Sequence, residues 1–381
     1  MKQHKVLILG AGAAGAAAAR VLNAAAGAEA TLMGATGEPA FNRTLVNKGV
    51  AVGLLTPEQA HVPGLTVVAD SAISVDSAAR EVRLDSGETA TYDALIVATG
   101  SKARALPTDV HGADRAMDAG LLTTLHSLDD AVLVRDRLTG RSAQVVIFGA
   151  GLVAAETASL LRDRGHLVTL VARGDVAGTS AFGEHVAARV SDLHRQNVTA
   201  WFGRVAVAIE VEVDELVITL DDSTRLRADL GIIAHGTAPS APAPWTGGVQ
   251  VDDRLRSSHD GVYAAGGVAT HDNVALGSWR IDHWADAAAQ GEHAARTVLH
   301  DLGLDADPGP YLPRSAFTAQ LYGATVAAVG LAGGQARATL TSDEPLLVLH
   351  EHAGRITGVS GLDATVQVFE WMPRLHAEAQ V

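Results

Sequence analysis

Residues 6–15 read VLILGAGAAG, and residues 145–156 read VVIFGAGLVAAE. Each stretch is an apolar run, a pair of glycines one residue apart, and then the small residues of a helix start. In a strand–turn–helix unit of this kind, the Rossmann turn, the first glycine (Gly10, Gly149) permits the tight bend. The second (Gly12, Gly151) lets the backbone approach a pyrophosphate, and the third small residue (Gly15, Ala154) lets the helix pack close to the strand. The pyrophosphate rests on the positive end of the helix, which makes Ala13, Ala14, Leu152 and Val153 candidate cofactor-binding positions. For a single copy the lesser alternative is an alanine-rich helix behind a buried strand; two copies imply two dinucleotides.

Composition narrows the class. The chain has 381 residues, enough for two or three domains, and 48% of them are apolar, enough to fill real cores. A net charge of −14 without clustered Lys and Arg disfavours nucleic acid or an anionic membrane as a partner. Cysteine is absent, which excludes disulfide reduction, thiolate metal sites and cysteine peroxidase chemistry. The opening MKQHKVLILGAG resembles a secretory signal in outline. Its apolar run, however, is broken by Gly10, Gly12 and Gly15 at the spacing a nucleotide turn needs. No stretch reaches the ~18 apolar residues of a membrane span, so a cytoplasmic protein is expected, and the composition leaves a homodimer open.

Along the chain, a helix over about Ala13–Ala26 leads to the strand AEATLMG ending at Gly34. Residues 65–100 alternate short β-branched runs with turn residues, predicting a small meander and then a buried strand, Ala94–Ala98. After a linker with Pro107 and Gly112, a helix over Ser127–Leu138 delivers the chain to a second unit in the same order. That unit has helix Leu152–Arg164, strand HLVTLVA, a helix near Glu184–Arg195, the strand pair Ala206–Val213 and Leu216–Leu220, and the strand LGIIAHG at 230–236. GVYAAGGVATH at 261–271 reads as strand, glycine turn and helix, followed by a helix over about Asp282–Leu302. Beyond PGPYLP at 308–313 the alternation predicts an antiparallel sheet. His350 and His352 flank Glu351 on one side of a probable strand, which reads better as an exposed strand than as a metal site; no metal is expected.

The order of these pieces resembles the flavoprotein pyridine-nucleotide oxidoreductases, in particular the ferredoxin and rubredoxin reductases that feed dioxygenase and P450 systems. The resemblance rests on the two turns together with FNRTLVNKG at 41–49, IVATG at 96–100, YAAGGVA at 263–269 and RIDHWADAAAQG at 280–291. It implies an α/β fold with two Rossmann-like dinucleotide-binding domains and a small C-terminal α+β domain. The FAD domain would be discontinuous over 1–112 and 238–312, the NAD(P)H domain would span 113–237, and an interface domain 313–381. It further implies FAD contacts from Arg43, Lys48, Ala98, Thr99, Gly100, Gly266, Gly267 and Trp284, and a nicotinamide-side role for Gly236. Lys48 and Glu156 would be the catalytic pair beside flavin N5. Since cofactors carry hydride transfer themselves, the lack of a catalytic triad or a metal motif is in keeping with it.

Four departures from the pattern matter. The acid that usually ends the second strand of the FAD unit is replaced by Ala35 and Thr36, leaving Glu38 as a substitute. The family's Gly-Asp after the third glycine turn is Gly266–Gly267 here, with Asp272 the nearest replacement. The corresponding acid of the NAD unit is Ala172, followed by Arg173, which removes a like-charge clash with a 2′-phosphate and offers it a partner. This favours NADPH over NADH. Finally, Thr318, Ala319, Gln320 and Leu321 alter the flavin wall. The function expected is therefore an FAD-dependent NAD(P)H oxidoreductase passing electrons to a ferredoxin or rubredoxin. The alternatives are delivery to a small acceptor (oxygen, a quinone or a biosynthetic intermediate) or a fold-retaining protein with weakened flavin binding.

Overall fold

Each glycine turn stands at the carboxyl end of the central strand of a five-stranded parallel sheet, in a computed structural model that describes residues 3–273, 276–332 and 336–377. The chain divides into two units. The first comprises Met1–Asn42, His61–Lys102 and Thr237–Ser315; the second comprises Arg43–Ala60, Ala103–Gly236 and Ala316–Val381.

In the first unit the sheet order is Val262–Ala264, Ala94–Val97, His4–Leu9, Ala28–Gly34, Val68–Ala69, all parallel. Its central strands are continuous apolar runs because both faces are covered, and Ile8, Leu95, Ile96 and Val97 are fully buried. Helices Ala13–Ala24 and Trp284–Asp301 cover one another closely. A Cβ at Gly291 would fall 2.0 Å from the Ala14 carbonyl oxygen, so glycine on one helix and a run of alanines on the other set that distance. The expected meander is present as the antiparallel strands Ala72–Asp76, Glu81–Leu84 and Thr89–Thr91.

The second unit repeats the plan with Leu122–Thr124, Leu230–Ile233, Gln144–Phe148, Leu167–Ala172, Thr199–Phe202, again all parallel, and with its own meander, Ala206–Glu212, Glu215–Leu220 and Arg225–Ala228. The helix Leu128–Leu138 is started by a capping box in which Ser127 and Asp130 each bond the other's backbone amide. A five-stranded antiparallel sheet, Ala316–Leu321, Ala324–Gly330, Arg355–Leu362, Leu346–His352 and Arg337–Asp343, belongs to this unit. It packs Ala319, Leu321, Val326 and Val348 against Ala155, Phe182, Val186 and Val190. Among the described residues no helix is long and apolar enough to cross a membrane.

Three expectations need correcting. The GVATH segment does not turn into a helix: Ala269–Asn273 is a strand, parallel to Val249–Val251 and antiparallel to Gly277–Trp279. Gly266 (φ +79°) reverses the chain, and the β-branched Val268 and Thr270 then continue in extended form. The helix near Glu184–Arg195 runs over Thr179–Asn197 and is kinked at Gly183 (φ 73°, ψ 166°). His350 is 1% exposed rather than on an exposed strand; it bonds Ser360 Oγ through Nε2 at 2.8 Å, and its ring fills the space that a Cβ at Gly183 would enter, 2.9 Å from Cε1.

Candidate functional site

The two glycine turns have the same backbone. Gly10 (φ +106°) and Gly149 (φ +127°) occupy the left-handed region that glycine tolerates without penalty. Their amides donate to Met33 O and Val171 O, both at 2.8 Å. A Cβ on either would collide with a carbonyl at the end of the neighbouring strand, Ala98 O at 2.3 Å or Ala234 O at 2.4 Å. Gly12 and Gly151 are the N-caps of the following helices, extended at φ −81° and −78°. A Cβ at Gly12, Gly100, Gly151 or Gly236 would meet nothing within 4 Å. Each unit therefore has a bend pinned by protein on one side and open on the other, beside uncapped helix amides. That is the shape a pyrophosphate requires.

In the first unit this cradle brings together Gly10, Gly12, Ala13, Ala14 and Gly15 with Ala98, Thr99 and Gly100. The Thr99 hydroxyl is buried with no hydrogen-bond partner among the described residues, as a group would be that bonds a ligand. Gly266 packs on the same helix, its built Cβ 3.1 Å from Ala14 Cβ. Trp284 begins the helix after the His283 cap. Glu38 is exposed on the turn after Ala28–Gly34, its amide bonded to Thr36 Oγ1 at 3.3 Å. These features fit a dinucleotide. Asp272 lies in the strand Ala269–Asn273 opposite Ser278, whereas the carboxylate that meets the Gly266–Gly267 turn is that of Asp282. Its position inside the quoted RIDHW motif was the signal for it.

In the second unit Gly149, Gly151, Leu152, Val153 and Gly236 form the equivalent cradle. Arg173 is exposed directly after the strand Leu167–Ala172. Arg43 Nη1 lies 3.0 Å from His126 Nδ1. Lys48 sits in a five-residue π-helical turn, Val46–Val50, a geometry concentrated at functional sites. Its ammonium is 2.8 Å from Glu156 Oε1 and donates to the Thr318 carbonyl at 3.4 Å. The side chain of Lys48 is 37% exposed and that of Glu156 6%. Burial pushes the Glu156 carboxyl above its ordinary pKa, and the charge of Lys48 draws it back only in part. Three remote stretches of chain thus converge on one ammonium. Sequence reasoning paired Lys48 with Glu156 but did not foresee the Thr318 carbonyl, because a main-chain acceptor carries no side-chain signal. Among the described residues no group of three or more His, Asp or Glu is placed to hold a metal ion.

The sequence pattern of the family described as pyridine nucleotide-disulphide oxidoreductase matches residues 4–291. The ferredoxin–NAD(+) reductase component of the biphenyl dioxygenase system of Paraburkholderia xenovorans (strain LB400) is 27% identical over 94% of this chain and 90% of its own length. Among solved structures, the covalent putidaredoxin reductase–putidaredoxin complex superposes with a TM-score of 0.85 at 21% identity, covering 98% of this chain and 93% of that one. An engineered water-forming NADPH oxidase bound to NADPH superposes with a TM-score of 0.76 at 20% identity, covering 94% and 87%. With three quarters of its length matched, this chain belongs to the pyridine nucleotide-disulphide oxidoreductase family.

Proposed function

We propose that the protein is an FAD-dependent NAD(P)H oxidoreductase that passes electrons to a ferredoxin- or rubredoxin-type iron–sulfur protein. The observation that carries this reading is the pair of matching glycine cradles, each open where a dinucleotide would lie, in a chain of this family. Bound FAD would supply the chemistry, accepting hydride from the nicotinamide and releasing electrons to the acceptor. In functional terms we assign 1–112 and 238–312 to FAD, 113–237 to the nicotinamide dinucleotide and 313–381 to the interface. The turn Gly10–Gly15 and Ala98–Gly100 bind the FAD pyrophosphate, Glu38 the adenosine ribose, and Gly149–Val153 with Gly236 the second pyrophosphate. Lys48 holds a fixed positive charge for the reduced flavin, and Glu156 holds Lys48. The reaction belongs in the cytoplasm, where NAD(P)H is supplied.

For the donor we assign NADPH. Ala172 leaves no carboxylate to repel a 2′-phosphate, and Arg173 offers it a partner. The same residue types in succession, alanine then arginine, replace aspartate then alanine in the engineered NADPH oxidase. The dioxygenase relative, by contrast, is named for NAD(+), so turnover with the two donors decides the point. NADPH is expected to be used faster, and an NADH-to-NADPH ratio well above one would reverse the assignment. The flavin reading is tested by the visible spectrum of purified protein before and after anaerobic NADPH, where a flavin spectrum that bleaches is expected. A colourless protein, or a flavin inert to both nicotinamides, would refute it. Cytochrome c reduction that depends on added iron–sulfur protein tests the acceptor. Equal rates without it would favour the second reading, delivery to oxygen or a quinone, which the Thr318–Leu321 replacements motivate.

A further inference from the structure

Gly267 has no side chain, yet the place of one is filled. A Cβ built there would lie 2.2 Å from Oδ1 and 3.0 Å from Cγ of Asp282, a residue fifteen positions later in the chain. Asp282 is fixed through its other oxygen. Ser101 Oγ donates to Oδ2 at 2.6 Å and Arg280 Nη2 at 3.0 Å, and Thr237 Oγ1 donates to it as well. Arg280 also donates from Nε to the Gly267 carbonyl at 2.6 Å, so one guanidinium holds both the carboxylate and the turn. The Asp282 side chain keeps 28% exposure and is within a ligand's reach, and a carboxylate offers about four acceptor positions across its two oxygens.

All of these residues belong to the first unit. The Gly266–Gly267 turn packs on Ala14, in the first turn of the helix whose amino end is the anion site. A fixed carboxylate beside that site repels phosphate and accepts hydroxyl donors. In FAD, the segment between the pyrophosphate and the ring system is a sugar alcohol carrying hydroxyls. We infer that Asp282 holds the ribityl hydroxyls of FAD, its carboxylate standing where a side chain at position 267 would project. The inference rests on the FAD reading of the first unit and deepens it.

The test is FAD titration of deflavinated protein, followed by flavin fluorescence. Asp282→Asn keeps the shape and removes the charge, and its dissociation constant for FAD should rise by about 10- to 100-fold, the range for loss of a hydrogen bond to a charged group. NADP binding, a property of the second unit, should stay within about twofold. Asp282→Ala should weaken FAD at least as much. Adding Gly267→Asp to it, with Cγ and Oδ1 of residue 282 gone, should bring affinity back to within about threefold of wild type. An Asp282→Asn protein that binds FAD within twofold of wild type, or a double variant no tighter than Asp282→Ala, overturns the inference. Wild-type protein that binds no FAD overturns the cofactor reading itself, so the two failures are distinguishable.

Discussion

The Gly10 and Gly149 turns share one backbone, but the helices that follow them do different work. The helix Ala13–Ala24 has alanine at seven of its twelve positions and buries Ala13 to Ala19 without a polar side chain; its task is close approach. Gly15 is obligatory there, because a Cβ would lie 1.9 Å from the Gly10 carbonyl oxygen. The helix Leu152–Asp163 carries Ala154 at the matching position and buries Glu156, Thr157 and Ser159. Glu156 meets Lys48, and the Ser159 hydroxyl accepts from the Tyr322 amide at 2.7 Å. The same turn thus serves one unit as a pure cradle and the other as a platform for polar contacts with chain far away in sequence. The fingerprint fixes the backbone of the turn and leaves the helix face free to acquire chemistry.

The comparison breaks most readily with acid. His194 and His350 in the second unit, and His271 in the first, are buried, which lowers each pKa from 6.5 to about 4. A depressed folded-state pKa means the stabilisation is present above pH 6.5 and lost as pH falls toward 4. Each histidine contributes ~3 kcal/mol by that shift. Urea unfolding at pH 7.5 and 4.5 should therefore show a loss of several kcal/mol, larger in the second unit; a flat profile would contradict the buried neutral histidines.

Substitution at the third turn position separates the units next. Gly15→Ala should destabilise by ~3 kcal/mol through overpacking against backbone, whereas Ala154→Gly should cost ~1 kcal/mol of helix propensity. Equal effects in thermal melts would mean that the two helices approach their turns alike.

Removing Lys48 tests the polar platform. A solvated loop lysine would be dispensable, with a cost of ~0.5 kcal/mol or less. Facing a buried carboxylate, Lys48→Ala should instead destabilise by about 1–3 kcal/mol and slow flavin reduction. Because the Glu156 pKa is already raised, its contribution is full below the ordinary carboxyl pKa and is lost as pH rises through the folded value. The variant raises that value further, so its deficit should be greater at pH 8 than at pH 5. Insensitivity to pH would detach Lys48 from Glu156.

The smallest expected effect concerns the ends of the second strands, where neither unit carries an acid: Ala35–Thr36 in one, Ala172–Arg173 in the other. Arg173→Ala should lower the NADPH-to-NADH preference by about tenfold, or ~1.4 kcal/mol. An unchanged ratio would exclude Arg173 from donor selection.

The amino-acid sequence by itself determined the two turns, the apolar strands beside them, the repeated strand–helix order and the antiparallel sheet near the end of the chain. Those features are local: a positive φ selects glycine, and a strand buried on both faces must be apolar along its length. It also placed Lys48 and Glu156 as candidates, through the resemblance of the quoted motifs to those of the family. The tertiary structure alone decided that Ala269–Asn273 is a strand, that His350 fills the kink at Gly183, that the Thr318 carbonyl meets Lys48 and that Asp282 stands against Gly267. Each of these depends on residues brought together across long stretches of chain, where packing and hydrogen-bond satisfaction override local preference and no pattern of neighbours records the partner.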